Sequence, residues 1–211
     1  MPNPPHKLYN AESGEHPLPK DKREIEAVIC ATQRCYEAHP YFIERYGVRG
    51  EAFARSDGGY LATLASNPQS YVHAKVNWLA EVLSCRGMPR WLMESHLDLI
   101  CEELSKAVPA RIARHQKLMR AAQSLRSARQ LRIAQADFDA LSADFETGAG
   151  VGLTNAGGLL VAAVCDEACG ISKAVPSLTI WLGDPERFSS QWCNAVGETL
   201  TRARALAHQS L

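Results

Sequence analysis

Apolar side chains recur every three or four positions along most of this chain, the repeat of an α-helix rather than of a strand. Ile25, Val28, Ile29, Thr32 and Tyr36 form a first stripe, which predicts a helix over about residues 21–38, stopped by Pro40. Residues 41–46 predict a short helix broken by Gly47 and Gly50, after which Ser56 and Asp57 cap a further turn or two carrying Tyr60, Leu61 and Leu64. Val72, Val76, Leu79 and Leu83 mark the next helix, ended by Gly87 and Pro89. Met93, Leu97, Ile100, Leu104 and Val108 mark another, ended by Pro109. The link at residues 86–89 is short, so these two helices are expected to be antiparallel neighbours. Their expected core is Val76, Leu79, Leu83, Met93, Leu97, Ile100 and Leu104.

Residues 110–146 hold neither proline nor glycine and are rich in Ala, Arg, Gln and Leu. They predict one long central helix of roughly 55 Å at 1.5 Å per residue, or two helices joined by a break near Leu131. Gly148, Gly150 and Gly152 end the run. Thr154 or Asn155 then caps a helix containing Leu159, Leu160, Ala163 and Val164 and closed by Gly170. Pro176 and the Gly183-Asp184-Pro185 run mark a loop around the apolar residues 178–182. A last helix is expected to start near Pro185 and to carry Phe188, Trp192, Val196, Leu200, Ala203 and Leu206. No segment alternates with period two. The fold class is all-α, a helical bundle or globin-like fold of about seven to eight helices.

Residues 1–20, with Pro2, Pro4, Pro5, Pro17 and Pro19, read as a flexible N-terminal tail or an arm that docks elsewhere, and 21–211 as a single all-helical domain. Lys plus Arg and Asp plus Glu balance at 23 each, which argues against a generic nucleic-acid or membrane-surface binder, since both need a basic excess. The longest apolar run, residues 159–164, falls far short of the roughly 18 to 20 needed to cross a bilayer. No apolar stretch follows the N-terminus, so no secretory signal is expected and the cytoplasm is the expected location. Seven cysteines, an odd number, argue against a disulfide framework and suit small buried core residues.

Candidate chemistry is sparse. Cys165 and Cys169 share one helical face, but no further ligand pair completes a zinc site, and Asp166 and Glu167 would raise a neighbouring thiol's pKa. Of the histidines, His73 and His96 lie on the two best-defined helices among aromatic residues, where a haem ligand would be sought; each sits at the edge of its apolar stripe, as a hydrogen-bonded boundary histidine does. Arg45 and Arg49, four apart and flanked by Tyr41, Phe42, Tyr46 and Phe53, could hold an anion, though Glu44 and Glu51 offer ordinary ion-pair partners. The glycines from 148 to 158 lack the P-loop Lys-Ser/Thr and a preceding strand. Their pair at 157–158 would permit close helix approach. GxSxG and HExxH are both missing, which lowers the case for an enzyme.

Residues 71–108, through Trp78-Leu79, Val82-Leu83, Arg86-Gly87-Met88-Pro89 and His96-Leu97, resemble a helix-turn-helix unit of bacterial helical regulatory domains. Such domains precede cobalamin-binding or anti-sigma-antagonist-like (STAS-like) modules, and some resemble globins without haem. This chain carries no cobalamin-binding DxHxxG. The resemblance covers under a fifth of the chain, brings no catalytic residue, and implies a free-standing sensor or adaptor. The expected function is therefore a non-enzymatic regulatory, sensor or interaction protein without cofactor or metal. The alternative is a globin-like haem or small-ligand sensor using His73 or His96, and cysteine redox chemistry ranks third. Ligand contacts, if any, would come from His73, Trp78, His96, Arg45 and Arg49. A homodimer through residues 110–146, or a protein partner, is expected, because a helix outrunning its own domain leaves Leu125, Ala128, Phe138, Leu141 and Phe145 uncovered.

Overall fold

The computed structural model describes residues 7–209, with side chains to residue 207, so His6 and the His208 side chain lie outside the described residues. Among these residues there are nine α-helices and no strand. They are α1 (Lys22–Ala38), α2 (Tyr41–Leu64), α3 (Gln69–Ser84), α4 (Arg90–Ala107), α5 (Ile112–Gln130), α6 (Gln135–Gly148), α7 (Ala156–Ala168), α8 (Ala174–Leu182) and α9 (Ser190–Gln209). The chain read as one domain over 21–211 divides into two compact units. Unit 1 holds the described residues up to Val76 together with Ser95–Ala122; unit 2 holds Asn77–Glu94 and the residues from Gln123 on.

In unit 1, α1 begins where Asp21 accepts the Arg23 N–H at 3.1 Å. It packs along α2. Gly47 does interrupt the helical dihedrals, at φ 59° and ψ −160°, a region open to glycine and costly for other residues. Gly50, expected to break the helix as well, stays helical, and α2 runs on to Leu64. The segment read as a tail or docking arm packs on this unit from Lys7 onward: Leu8 is fully buried, and a 3-10 turn at Ala11–Ser13 touches α2.

Unit 2 is built around α7. Every residue from Ala156 to Asp166 is buried, and α6, α8 and α9 all pack against it. A helix apolar on all sides must sit inside, and Ala-Gly-Gly-Leu-Leu-Val-Ala-Ala-Val-Cys is such a sequence. The paired glycines do permit close approach: a Cβ on Gly157 would fall 2.6 Å from the Ser142 carbonyl oxygen of α6, and one on Gly158 would fall 2.8 Å from the Trp91 ring. The Glu146 carboxylate reaches back from α6 to accept the Gly157 N–H at 3.1 Å, serving the new helix's N-terminus from outside the 154–155 pair.

Glycine stops occur as the sequence predicts. Gly87 (φ 87°) and Gly170 (φ 96°) each close a helix through paired bonds to its last turn, Met88 N–H to Leu83 O with Gly87 N–H to Ser84 O, and Ile171 N–H to Asp166 O with Gly170 N–H to Glu167 O.

Three expectations are corrected. No single long central helix occurs over 110–146: α5 ends at Gln130 and α6 starts at Gln135, the break near Leu131 held open as the alternative. The turn buries Ile133 and leaves Leu131 exposed, and Arg129 spans it by donating to Gln135 Oε1 at 3.1 Å and lying 4.5 Å over the Phe138 ring. Tertiary burial here overrides helix propensity. Leu125, Phe138, Leu141 and Phe145 are consequently buried within the chain, which removes the argument for a dimer through them. Residues 178–182 are not loop-bound but belong to α8, whose Pro176 sits in the first turn, where no N–H is needed. Finally, α9 starts at Ser190 rather than near Pro185, with Ser189 Oγ accepting the Trp192 N–H at 3.2 Å.

Candidate functional site

Each residue singled out by sequence has a definite place. Within unit 1, His96 lies between α1 and α2: Thr32 Oγ1 is 3.4 Å from its Nε2, and a Cβ on Gly58 would meet the ring at 3.5 Å. Burial pushes its pKa down to about 4, so the ring is neutral. Nε2 therefore faces a threonine and a helix backbone, the surroundings of a packed boundary histidine. His73 is half-buried on α3, and its Nε2 is buried with no hydrogen-bond partner. Trp78 is 55% exposed. Arg45 donates to Tyr41 Oη and lies 5.1 Å over the Tyr46 ring, while Arg49 pairs with Glu12 at 2.5 Å and lies 5.4 Å over Phe53. The two guanidinium groups, on either side of the Gly47 kink, thus rest on different partners.

Sequence reasoning missed the charged groups that the fold buries. In unit 2, Asp166 on α7 ties the end of α3 to the start of α4. Its Oδ2 accepts from Ser84 Oγ at 2.7 Å and from the Arg90 backbone N–H at 2.9 Å, and its Oδ1 accepts from Arg90 Nε at 2.7 Å. The carboxylate thus caps the first residue of α4 at the positive end of its dipole. In the same unit Glu94, 2% exposed, accepts from Arg129 Nε at 3.1 Å and Nη2 at 3.1 Å, with Arg126 3.7 Å away. Burial pushes the Glu94 carboxyl up, against the pull of Arg129 and Arg126. Cys165 lies near this group, fully buried, with its thiol pushed up to about 12 by burial and therefore protonated.

A second cluster lies in unit 1. Glu24, buried on α1, is bonded by Arg111 at 2.9 Å and by Arg114, with His115 Nε2 3.4 Å away. Burial and the neighbouring Arg114 lower the His115 pKa. None of these partners is within helical reach in sequence, so no spacing rule could have found them. The only signal was the placement of Glu24, Glu94 and Asp166 at or beside apolar stripes.

Unit 1 has a groove of about 300 Å³ between α4 and α5, lined by Cys101, Ile112, Gln116 and Met119. Unit 2 has one of about 210 Å³ between α6 and α9, where Arg202 pairs with Asp144 at 2.7 Å. Neither of these gathers a nucleophile, a base and an anion-binding group. A wider groove of about 520 Å³ between α1 and α4 of unit 1 is lined by Cys30 with Glu103 and Lys106, and burial and Glu103 push that thiol up. Among the described residues no three His, Cys, Asp or Glu side chains are grouped to hold a metal ion, and no helix is long and apolar enough to cross a membrane. Comparison with protein-family models, with curated proteins and with solved structures returns no match.

Proposed function

We propose that this chain is a non-enzymatic regulatory or interaction protein, with a protein partner or a second copy as its target. One observation carries the reading: the buried carboxylates of the two units are each spent on arginines of the same unit. Asp166 serves Arg90 and Ser84, Glu94 serves Arg129, and Glu24 serves Arg111 and Arg114. A general acid or base must be free to exchange a proton with substrate, and these groups are held as structural pairs. Kinship with the helical regulatory domains, bundle or globin-like, belongs to the same proposal.

A small-ligand or haem sensor is the second reading, favoured by the unpartnered, buried Nε2 of His73. Protein drawn from its own host separates the two. The interaction reading expects the chain to elute in gentle lysate as an assembly larger than its 23.1 kDa, with no Soret band after purification. Elution at its own mass, together with a Soret band that His73→Ala abolishes, supports the sensor instead.

A further inference from the structure

The arm that precedes α1 occupies a formed groove on α2. Ser56, Gly59, Tyr60 and Thr63 are spaced i, i+3, i+4 and i+7, one face of the helix. Leu8 and Leu18 converge on its glycine: a Cβ on Gly59 would stand 2.8 Å from Leu18 Cδ2 and 3.1 Å from Leu8 Cδ1. Around these anchors lie polar clamps. Ser13 Oγ is 2.7 Å and His16 Nε2 2.9 Å from the buried Ser56 Oγ, and the His16 ring stands edge-on to Tyr60. Thr63 Oγ1, which donates to the Tyr60 carbonyl of its own helix at 2.7 Å, lies 3.4 Å from the Pro17 carbonyl, and Glu12 pairs with Arg49. The seat is imperfect, since Asn10 Nδ2 is buried with no hydrogen-bond partner. Residues 17–20, with Pro17 and Pro19, then lead directly into the α1 cap at Asp21.

We propose that this arm is an exchangeable strap, and that the α2 groove takes the same segment from a second copy of the chain. The occupant follows from the fit: the segment seen in the groove is one that every copy carries, with two leucine anchors for Gly59 and an acidic residue for Arg49. Contacts made in trans are the same as those made in cis, so exchange costs only the association entropy. This names the second copy as the partner and rests on the interaction reading for its use in the cell; the test below reads the arm and groove alone.

Two full-length variants complement each other. Leu8→Asp with Leu18→Asp expels the arm and leaves the groove empty; Gly59→Leu plugs the groove and leaves the arm free. Each alone is expected to stay helical by circular dichroism and to sediment as a monomer, whereas an equimolar mixture forms a species of twice the mass. A mixture that stays monomeric overturns the proposal. So does loss of helix in either variant, because the arm is then an inseparable part of the core.

Discussion

At the scale of single residues, the molecule is distinguished by charge held inside. Asp166 is 3% and Arg90 13% exposed in their side chains. Removing one partner of such a pair strands the other, at about 3 to 5 kcal/mol, whereas an exposed pair such as Lys106–Glu102, screened by water, contributes little. Asp166→Ala should therefore lower the unfolding free energy by about 3 kcal/mol or more in denaturant titration, and Glu102→Ala by far less; equal losses would count against the assignment. The buried His39 and the half-buried His96 set a pH dependence. Burial lowers His96 and His39 from 6.5 to about 4 each, so the unfolded chain binds protons that the folded chain refuses. Their contribution is whole above pH 6.5, declines as pH falls toward 4, and changes no further below that. Glu102, held down to about 2 chiefly by Arg34 and Lys106, adds its own loss only below its ordinary 4.5. Stability measured from pH 7 to 4.5 should fall steadily, and a proton-resonance titration of His96 should have its midpoint near 4; a flat profile or a midpoint near 6.5 would refute this.

At the scale of elements, the sequence was legible wherever local chemistry decides. Proline and glycine stops and the stripes of α3 and α4 follow from short-range rules, and six of the seven expected core residues are buried, Leu83 being half-buried. On α1 the buried face runs through Ala27, Val28, Ala31, Thr32 and Cys35, so Ile25, Ile29 and Tyr36 of the expected stripe lie at its edge. The boundary between α5 and α6 was not fixed by those rules, because what breaks the helix is the burial of Ile133 and the Arg129–Gln135–Phe138 clasp. The same limit hid Asp166 as the cap of α4, a partner 76 residues away. Close packing between elements gives a paired test. Gly157→Ala places a Cβ 2.6 Å from backbone of α6, so it should cost about 1 to 3 kcal/mol, while Gly148→Ala, with nothing within 4 Å, should be neutral or slightly stabilising in thermal melts. Comparable effects at both sites would mean that α6 and α7 are not so tightly apposed.

At the scale of the whole molecule, the two units share one plan: apolar helices fixed by a few buried carboxylates tied to arginines. Function is therefore argued from surfaces and from the docked arm. The central claim is that the charge buried here holds helices together. A double-mutant cycle on Glu94 and Arg129 tests it most directly. Glu94→Leu and Arg129→Leu should each lose about 3 to 5 kcal/mol of stability, and the double variant should lose far less than their sum, because a matched apolar pair strands no charge. Strictly additive losses, or a Glu94→Leu protein as stable as the parent, would contradict the claim.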